Sequence, residues 1–491
     1  MASTRIGFGI ALLFASAIGA SAADMPVKYK APPLALWSWS GLYGGINAGY
    51  SFGRDTVAQD VQIVPGRVLP TGGIFGGQLG YNWQSGRFVA GLEGDAQWSG
   101  QSGRTCSGIT CLQNFNEENF AANYEHKLKW FATARARLGL ANAGTLFYLT
   151  GGAAWAGVTE TTTFVVDNIP ASNTANRTLT GAAFGGGIES RLSQDWTVKA
   201  EYLHLEFAPM SMTGRYAGAN GPISFSLTST SSSRVTDNIV RIGLNRRLWD
   251  TPAAAPLPPD PAVNAWRWSG LYAGLNAGYG VGNGSFREFA YIDPSVPPAP
   301  GELTHYLSSY APHGISPQGA LAGGQLGYNW QFDRLVIGVE GDGQWSGQKD
   351  VTCASGCAAP LTETLTQQFN WLATLRGRLG YADRGYLLYV TAGGALAEIQ
   401  ETERFSDFNN LFSSTFKRTN GGWVAGGGIE AWVFGNWTAK AEYLHFDFGS
   451  VSHTFATGVP VAVNQVTSLG SQAQVRNDVV RIGLNYKLTG N

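Results

Sequence analysis

The side chains most able to do chemistry in this chain are acidic and basic residues that recur at every second position. Glu93 and Asp95 alternate with apolar residues across 88–98, and Arg135 and Arg137 do the same across 129–138. A period of two places successive side chains on opposite faces of a β-strand. Each of these strands is therefore predicted to have one charged face and one apolar face.

Seven such charged positions are found in each half of the chain. An Arg or Lys that faces lipid at mid-depth costs about 2–4 kcal/mol, so these side chains should face the inside of a barrel whose apolar faces contact lipid. Lys129 and Glu189 are assigned to the same inward face. The set is Glu93, Asp95, Arg135, Arg137, Lys199, Glu201 and Arg241, and then Glu340, Asp342, Arg376, Arg378, Lys440, Glu442 and Arg481.

The near balance of acids and bases favours a paired network that fills a closed lumen, because an unpaired buried charge is costly. The alternative is a selective channel lined by the same residues. Adjacent antiparallel strands bring facing Cβ atoms within about 4.5–5.5 Å. Two sets of pairs are therefore expected: Glu93 and Asp95 with Arg135 and Arg137, and Glu340 and Asp342 with Arg376 and Arg378.

Other motifs offer weaker chemistry. His204 and His445 occupy matching positions and could act as hydrolase bases, but no serine motif accompanies both, and a polar strand-end role is favoured. Glycine triplets at 185–187 and 426–428 are not followed by the Gly-Lys-Ser/Thr of a phosphate loop, so close strand packing explains them better. We therefore expect no catalytic, cofactor-binding or metal-ligating residues.

The four cysteines form two short-range pairs, Cys106 with Cys111 and Cys353 with Cys357. Each pair falls within one predicted loop. In an exported protein such pairs favour local disulfides. A metal site is a weaker interpretation, because neither pair has a nearby His or a second Cys pair to complete four ligands.

The sequence segments that position these residues occur twice in the chain. The sequence WSGLY at 39–43 returns at 268–272, GGQLGYNWQ at 76–84 returns at 323–331, and KAEYLH at 199–204 returns at 440–445. A period this long indicates a duplicated domain. Each copy reads as eight strands joined alternately by tight turns and long polar loops, as in outer-membrane barrels. The long loops are assigned to 53–73, 100–125, 159–181 and 208–234, and to 281–318, 347–368, 399–421 and 449–474.

We therefore predict an all-β chain of two tandem eight-stranded antiparallel transmembrane β-barrels, at 39–249 and 268–491. The alternative is one sixteen-stranded barrel. The junction at 250–267 contains five prolines between Pro252 and Pro261 and is longer than a periplasmic turn needs to be, which favours two units. Residues 24–38 form a predicted periplasmic leader.

Residues 1–23 are predicted to be a cleaved signal peptide, with one charge at Arg5, a short apolar core and small residues before the cleavage point. Charged residues make up 14% of the chain, well below the usual ~25% of soluble domains. These features predict the outer membrane, with lipid and lipopolysaccharide as surroundings and the barrel-assembly machinery as a partner. A net charge of −1 gives no reason to expect nucleic acid.

These blocks, with GLEGD at 91–95 and the start ADMP at 23–26, resemble alphaproteobacterial RopB-type surface barrels of the OmpA-like group, a porin family. The resemblance implies one eight-stranded barrel per copy and a role in envelope integrity and surface contact. We therefore expect a non-enzymatic surface protein. A porin for small solutes is the alternative, and a lipid-modifying barrel enzyme is the third possibility. The long loops are the expected contact surface for a surface ligand.

Overall fold

The fold is described from a computed structural model. The described residues are 38–59, 67–107, 120–142, 144–166, 169–220, 223–249, 266–292, 313–353, 362–383, 385–406, 411–456 and 467–489. The predicted signal peptide, nearly all of the leader, most of the Pro-rich linker, Cys111 and Cys357 lie outside these residues, so the domain boundaries and both disulfides stay predictions. None of the described residues forms a helix long and apolar enough to cross a membrane.

The first copy folds into eight long antiparallel strands and two short ones. Their bounds are β1 Gly41–Gln59, β2 Arg67–Val68, β3 Thr71–Ser85, β4 Phe88–Ser107, β5 Phe120–Asn142, β6 Thr145–Val166, β7 Ile169–Arg191, β8 Trp196–Phe207, β9 Met210–Asn220 and β10 Ile223–Trp249. The long strands pair in chain order, and β10 pairs back with β1, from Leu42 opposite Trp249 to Gln59 opposite Ser231. This last pairing closes the sheet into a ring with no free edge.

The second copy forms a second ring of the same kind. Its strands are β11 Gly270–Ile292, β12 His313–Ile315, β13 Gln318–Phe332, β14 Leu335–Ser346, β15 Lys349–Cys353, β16 Thr362–Asp383, β17 Tyr386–Ser406, β18 Leu411–Phe434, β19 Trp437–Ala456 and β20 Thr467–Lys487. Here β20 pairs with β11. Two closed rings confirm the prediction of two tandem eight-stranded barrels, and the sixteen-stranded alternative is wrong.

The strands extend further than the sequence pattern indicates. Much of the region assigned to long loops is paired strand, most clearly 159–181, where β6 and β7 continue to Val166 and Ile169. Cross-strand hydroxyl pairs such as Thr161–Thr174 and Thr213–Thr230 lie on these extensions. Polar residues on both faces leave no apolar alternation there, so the sequence resembled loop while the backbone kept its ladder.

An apolar belt surrounds each ring. In the first barrel its middle is formed by exposed aliphatic side chains, among them Leu138, Leu149 and Ile242, of which Leu149 is 74% exposed. Exposed tryptophans flank this band: Trp83 and Trp196 near the tight turns and Trp98, Trp130 and Trp155 near the opposite rim. Aromatic girdles on either side of an apolar band mark the two membrane interfaces.

The Gly185 triplet lies in β7, where it allows neighbouring strands to pack closely. A Cβ at Gly185 would lie 2.0 Å from the backbone oxygen of Tyr202, and one at Gly187 would lie 2.7 Å from the Tyr148 hydroxyl. Gly426 and Gly428 make the same approaches to Tyr443 and Tyr389. The triplets therefore belong to strands, and each leaves room for a tyrosine that points into the lumen.

Candidate functional site

The charged residues of the first barrel meet inside its lumen. Arg135 Nη2 lies 2.6 Å from Glu93 Oε1 and 2.8 Å from Asp95 Oδ2. Glu93 and Arg135 are directly opposite in the β4–β5 register, so the inward faces of adjacent strands meet there. Arg137 approaches Glu93 at 3.5 Å but makes its shorter contact, 2.9 Å, with Glu189.

Further contacts in this network cross the lumen between strands that are not neighbours. Lys199 Nζ on β8 donates to Glu93 on β4 at 2.8 Å. Arg241 on β10 lies 3.0 Å from Asp95 on β4, and it also lies 2.5 Å from Glu201, directly opposite on the adjacent strand β8. Four carboxylates therefore face four cations: Glu93, Asp95, Glu189 and Glu201, with Arg135, Arg137, Lys199 and Arg241.

Uncharged groups complete the hydrogen bonds of this network. Thr133 donates to Asp95 at 2.7 Å, and Tyr43 donates to Glu93 at 2.8 Å. The guanidinium of Arg137 lies over the rings of Tyr43 and Tyr148, 5.0 and 4.8 Å from their centroids. A cation on an aromatic face is stabilised by the ring quadrupole, so the tyrosines support Arg137 where its hydrogen-bond partners are few.

The second barrel repeats the arrangement almost atom for atom. Arg376 lies 2.5 Å from Glu340 and 2.8 Å from Asp342, and Lys440 lies 2.8 Å from Glu340. The remaining pairs are Arg481 with Asp342 at 3.0 Å and with Glu442 at 2.7 Å, and Arg378 with Glu430 at 2.8 Å. The lumen network, meaning these sixteen charged side chains, is thus built twice from the same positions.

The side chains of the lumen network are almost completely buried. In the first barrel the eight charged side chains expose between 0 and 3% of their surface, and in the second between 0 and 4%. A side chain that lined a water-filled channel would expose surface to a water-sized sphere inside the barrel. Eight strands enclose a space that side chains just fill, and these charged residues fill it.

Two features of the site differ from the sequence analysis. Lys129, assigned to the inward face, is exposed, because the register shifts between Leu128 and Trp130 and the bulge turns that side chain outward. Asp95 takes Arg135 and Arg241 as partners and does not pair with Arg137. The Asp95–Arg241 contact could not be derived from neighbouring strands, since it depends on how the ring closes across its diameter.

The two matching histidines lie on equivalent strands, His204 on β8 and His445 on β19. His204 Nδ1 is 2.9 Å from the Asn238 side-chain oxygen, and His445 Nδ1 is 2.7 Å from Asp478. The first pairing has an amide where a catalytic dyad needs a carboxylate. The two copies therefore do not share one acid–base arrangement at this position.

A cavity of about 2390 Å³ lies outside both lumens, between the apolar outer faces of the two barrels. Leu149 and Ile242 of the first barrel and Leu275 and Ile482 of the second contribute to its walls. These side chains belong to the surface that faces lipid. The walls of this cavity are therefore mainly lipid-facing apolar surface.

A buried polar cluster near the outer end of the first barrel was missed by the sequence analysis. Asp55, His126 and Glu160 lie on three strands and bring their ligand atoms within 4.8 Å of one another. Strand alternation in the sequence places His126 on the same outward face as Trp130, and only the bulge between Leu128 and Trp130 turns the histidine inward. Glu160 lies directly opposite His126 in the β5–β6 ladder, whereas the proximity of Asp55 on β1 depends on the closed ring.

Comparisons with known proteins agree with this architecture. A family model described as an outer membrane protein beta-barrel domain matches residues 10–239 and 252–487. The chain belongs to this family. The two matches correspond to the two rings. They confirm the predicted family of outer-membrane β-barrel proteins and the predicted location in the outer membrane.

Relatives of the barrel protein come from alphaproteobacteria. The "31 kDa outer-membrane immunogenic protein" of Brucella melitensis is 30% identical over 238 residues, 48% of this chain and 88% of that protein. The "22 kDa outer membrane protein" of Rhizobium leguminosarum is 34% identical over 138 residues, 28% of this chain and 57% of that protein. Among solved structures, Ail, the attachment invasion locus protein of Yersinia pestis, matches 42% of this chain and 99% of its own, at 15% identity and a TM-score of 0.20.

Proposed function

We propose that this protein is a non-enzymatic surface protein of the outer membrane whose two closed barrels anchor extended outer hairpins. The observation that carries the proposal is the buried, charge-balanced lumen network. Its side chains expose almost no surface, and its salt bridges connect strands on opposite sides of each ring. Contacts that cross the lumen stabilise the wall of the barrel. They also occupy the space through which solutes would have to pass.

The outer hairpins supply the contact surface in this proposal. The β9–β10 hairpin pairs Met210–Asn220 with 223–233 and carries exposed hydroxyls at Thr213 and Thr230. Segments held on a rigid scaffold can vary in sequence and bind partners without disturbing the fold. The word "immunogenic" in the Brucella relatives' names supports display of such segments at the cell surface.

Conductance in planar lipid bilayers tests the closed lumen. The purified full chain should give no stable current. The control variant Glu125→Ala, which removes an acid that pairs with Arg104 and Lys127 outside the lumen network, should behave in the same way. The double variant Glu93→Ala/Lys199→Ala removes one acid and one base, keeps the charge balance and opens space beside Arg135, so it should pass small ions. Stable currents from the parent chain, proportional to salt concentration, would overturn the proposal and favour the porin alternative.

Surface display is tested separately with an inserted epitope. An epitope placed between Asn220 and Ile223 should be recognised by antibody on intact cells. The matched control carries the epitope in the Ser85–Gly86 turn at the opposite end of the barrel and should be recognised only after the outer membrane is opened. Equal recognition of both insertions on intact cells would contradict the orientation. Altered lipid A masses in cells that express the chain would instead favour the lipid-modifying alternative.

The same proposal includes the partners expected from the sequence. The apolar belt with its aromatic girdles supports contact with membrane lipid and, in the outer leaflet, lipopolysaccharide. The pairing of β20 with β11 closes the second barrel by placing its last strand beside its first strand. Barrel-assembly machinery would assist this closing step. Depletion of that machinery should leave the chain in its unshifted, unfolded form on gels.

A further inference from the structure

The polar cluster near the outer end of the first barrel consists of one imidazole between two carboxylates. His126 Nδ1 lies 3.0 Å from Asp55 Oδ2 and 3.7 Å from Glu160 Oε1. The three side chains expose 0 to 1% of their surface. His126 is four residues beyond Trp130 on β5, about 13 Å along an extended strand, so the cluster lies outside the apolar belt.

The polar atoms of this cluster have few hydrogen-bond and ion-pair partners among the described residues. Both ring nitrogens of His126 and Asp55 Oδ1 lack a well-directed hydrogen bond among the described residues. Within that part of the chain, neither Asp55 nor Glu160 has a lysine or arginine within salt-bridge distance. The lumen network deeper in the same barrel is balanced four to four, and the buried Asp237 carboxylate accepts hydrogen bonds from Ser51 and Gln101, whereas this cluster sets two carboxylates against one imidazole. Buried ligand-type atoms without directed partners favour a cation as their common partner.

We propose that Asp55, His126 and Glu160 bind one divalent transition-metal ion of the Zn²⁺ class at the outer end of the first barrel. Ligand atoms about 2.0–2.2 Å from one zinc ion lie roughly 3–4 Å apart, and the His126–Asp55 and His126–Glu160 separations of 3.0 and 3.7 Å fall in that interval. One nitrogen and two carboxylate oxygens suit zinc or manganese better than calcium, which takes oxygen ligands alone.

The surroundings supply the orienting contacts that metal ligands need. The Tyr124 hydroxyl donates to Asp55 Oδ2 at 3.0 Å, and the Ser233 hydroxyl donates to Glu160 Oε1 at 3.2 Å. Hydrogen bonds of this kind fix the orientation of ligating carboxylates. The ligands come from β1, β5 and β6, and β3 and β4 separate β1 from β5 in the ring. A bound ion would therefore connect β1 to the β5–β6 pair, a connection that the backbone ladder does not make directly.

The second barrel provides a natural comparison within the same chain. At the positions that match Asp55 and His126 it has Gly284 and Gln367, and only the third carboxylate is kept, as Glu401. There Gln367 donates directly to Glu401 at 2.8 Å. An amide–carboxylate hydrogen bond thus replaces the imidazole between two acids. The proposal assigns the metal to the first barrel alone, with one ion per chain.

The rival interpretation is a metal-free ion triad. Burial opposes a charged imidazole, but the adjacent Asp55 and Glu160 carboxylates outweigh that effect and raise the pKa of His126 to about 9. An imidazolium between the two acids would then be purely structural. The two interpretations differ in whether the folded protein binds zinc at a saturable site that depends on His126.

Calorimetric titration of the refolded full chain with Zn²⁺ in detergent distinguishes them. We expect one saturable site per chain and no equivalent site for Ca²⁺. The variants His126→Gln and Asp55→Gly, which copy the second barrel, should weaken Zn²⁺ binding by at least about tenfold, since even changes next to metal ligands typically cost 10- to 100-fold. Glu401→Gln, the matched change in the second barrel, should leave affinity and stoichiometry unchanged.

Folding is checked in every variant by the gel shift between its folded and heated forms. Glu160→Gln supplies an independent ligand variant if His126→Gln folds poorly. Co²⁺ gives a second readout, because its visible absorption reports the ligands directly. Parent-like Zn²⁺ affinity in a folded His126→Gln or Glu160→Gln variant overturns the proposal, as does a parent chain without a saturable site. The latter result would establish the ion triad.

Discussion

Replacing Glu93 by Gln should destabilise the first barrel more than any change of one exposed charge. The Glu93 carboxylate lies 2.6 Å from Arg135, 2.8 Å from Lys199 and within hydrogen-bond distance of Tyr43. Glutamine keeps the size of the side chain but leaves three carboxylates facing four cations. Breaking a buried ion pair from one side typically costs about 3–5 kcal/mol.

The cost should fall near the lower end of that range. Arg135 keeps Asp95 at 2.8 Å and Glu201 at 3.2 Å, so it retains close acidic partners. Lys199 keeps only the more distant Glu201, at 3.8 Å, and is the cation most nearly stranded. We therefore expect a loss of about 3 kcal/mol in the free energy of unfolding. The double variant Glu93→Gln/Lys199→Met, which restores the charge balance, should recover more than half of it.

Equilibrium unfolding in urea, followed by tryptophan fluorescence and by gel shift, measures these differences in the full chain. Glu340→Gln offers a replicate in the second barrel, where Arg376, Lys440 and Tyr272 surround the carboxylate in the same way. Glu125→Gln is the control: its carboxylate pairs with Arg104 and Lys127 on an outer hairpin and should cost at most about 1 kcal/mol. If Glu93→Gln matches this control, the lumen is hydrated and the closed-barrel reasoning is refuted.

Two further predictions concern the outer face and the strand packing. Leu149→Arg places a charge in the middle of the lipid-facing belt and should cost about 2–4 kcal/mol in urea unfolding, whereas Thr213→Arg on an outer hairpin should cost under about 0.5 kcal/mol. Gly185→Ala should cost about 1–3 kcal/mol because its Cβ would meet a backbone oxygen at 2.0 Å; Gly394→Ala meets no atom within 4 Å and should be neutral. Equal effects within either pair would show that the structure assigns these environments wrongly.

The barrels themselves were predictable because lipid imposes a simple rule on sequence. A strand between lipid and a polar lumen must alternate strictly, and the alternation at Glu93, Asp95, Arg135 and Arg137 carries that rule. Beyond the membrane the rule lapses, since both faces of a hairpin can be polar, and the sequence of 159–181 therefore resembles a loop although its backbone is paired. The Lys129 bulge was hidden for a related reason: one extra residue reverses which face a side chain takes.

Contacts across the lumen were beyond sequence reasoning of this kind. The Arg135–Glu93 contact follows from two adjacent strands in register, but the Arg241–Asp95 contact joins residues 146 positions apart. Its existence depends on the number of strands and on how the ring closes. The Asp55–His126–Glu160 cluster belongs to the same class, because no spacing in the chain brings a β1 carboxylate beside a β5 histidine.

The two copies differ where such differences are least costly. Every member of the lumen network contacts two or more partners of opposite charge or complementary hydrogen-bonding type. One substitution therefore leaves several buried groups without a partner. The second barrel has the same residue types at all eight positions. Nearer the outer end the constraint weakens, because fewer partners depend on each side chain. There His126 is matched by Gln367, and Asp55 by Gly284, where an added Cβ would lie 2.5 Å from the backbone oxygen of Gln474. The second barrel has therefore closed the space that Asp55 occupies in the first, and a site that needs Asp55 can exist in only one of the two.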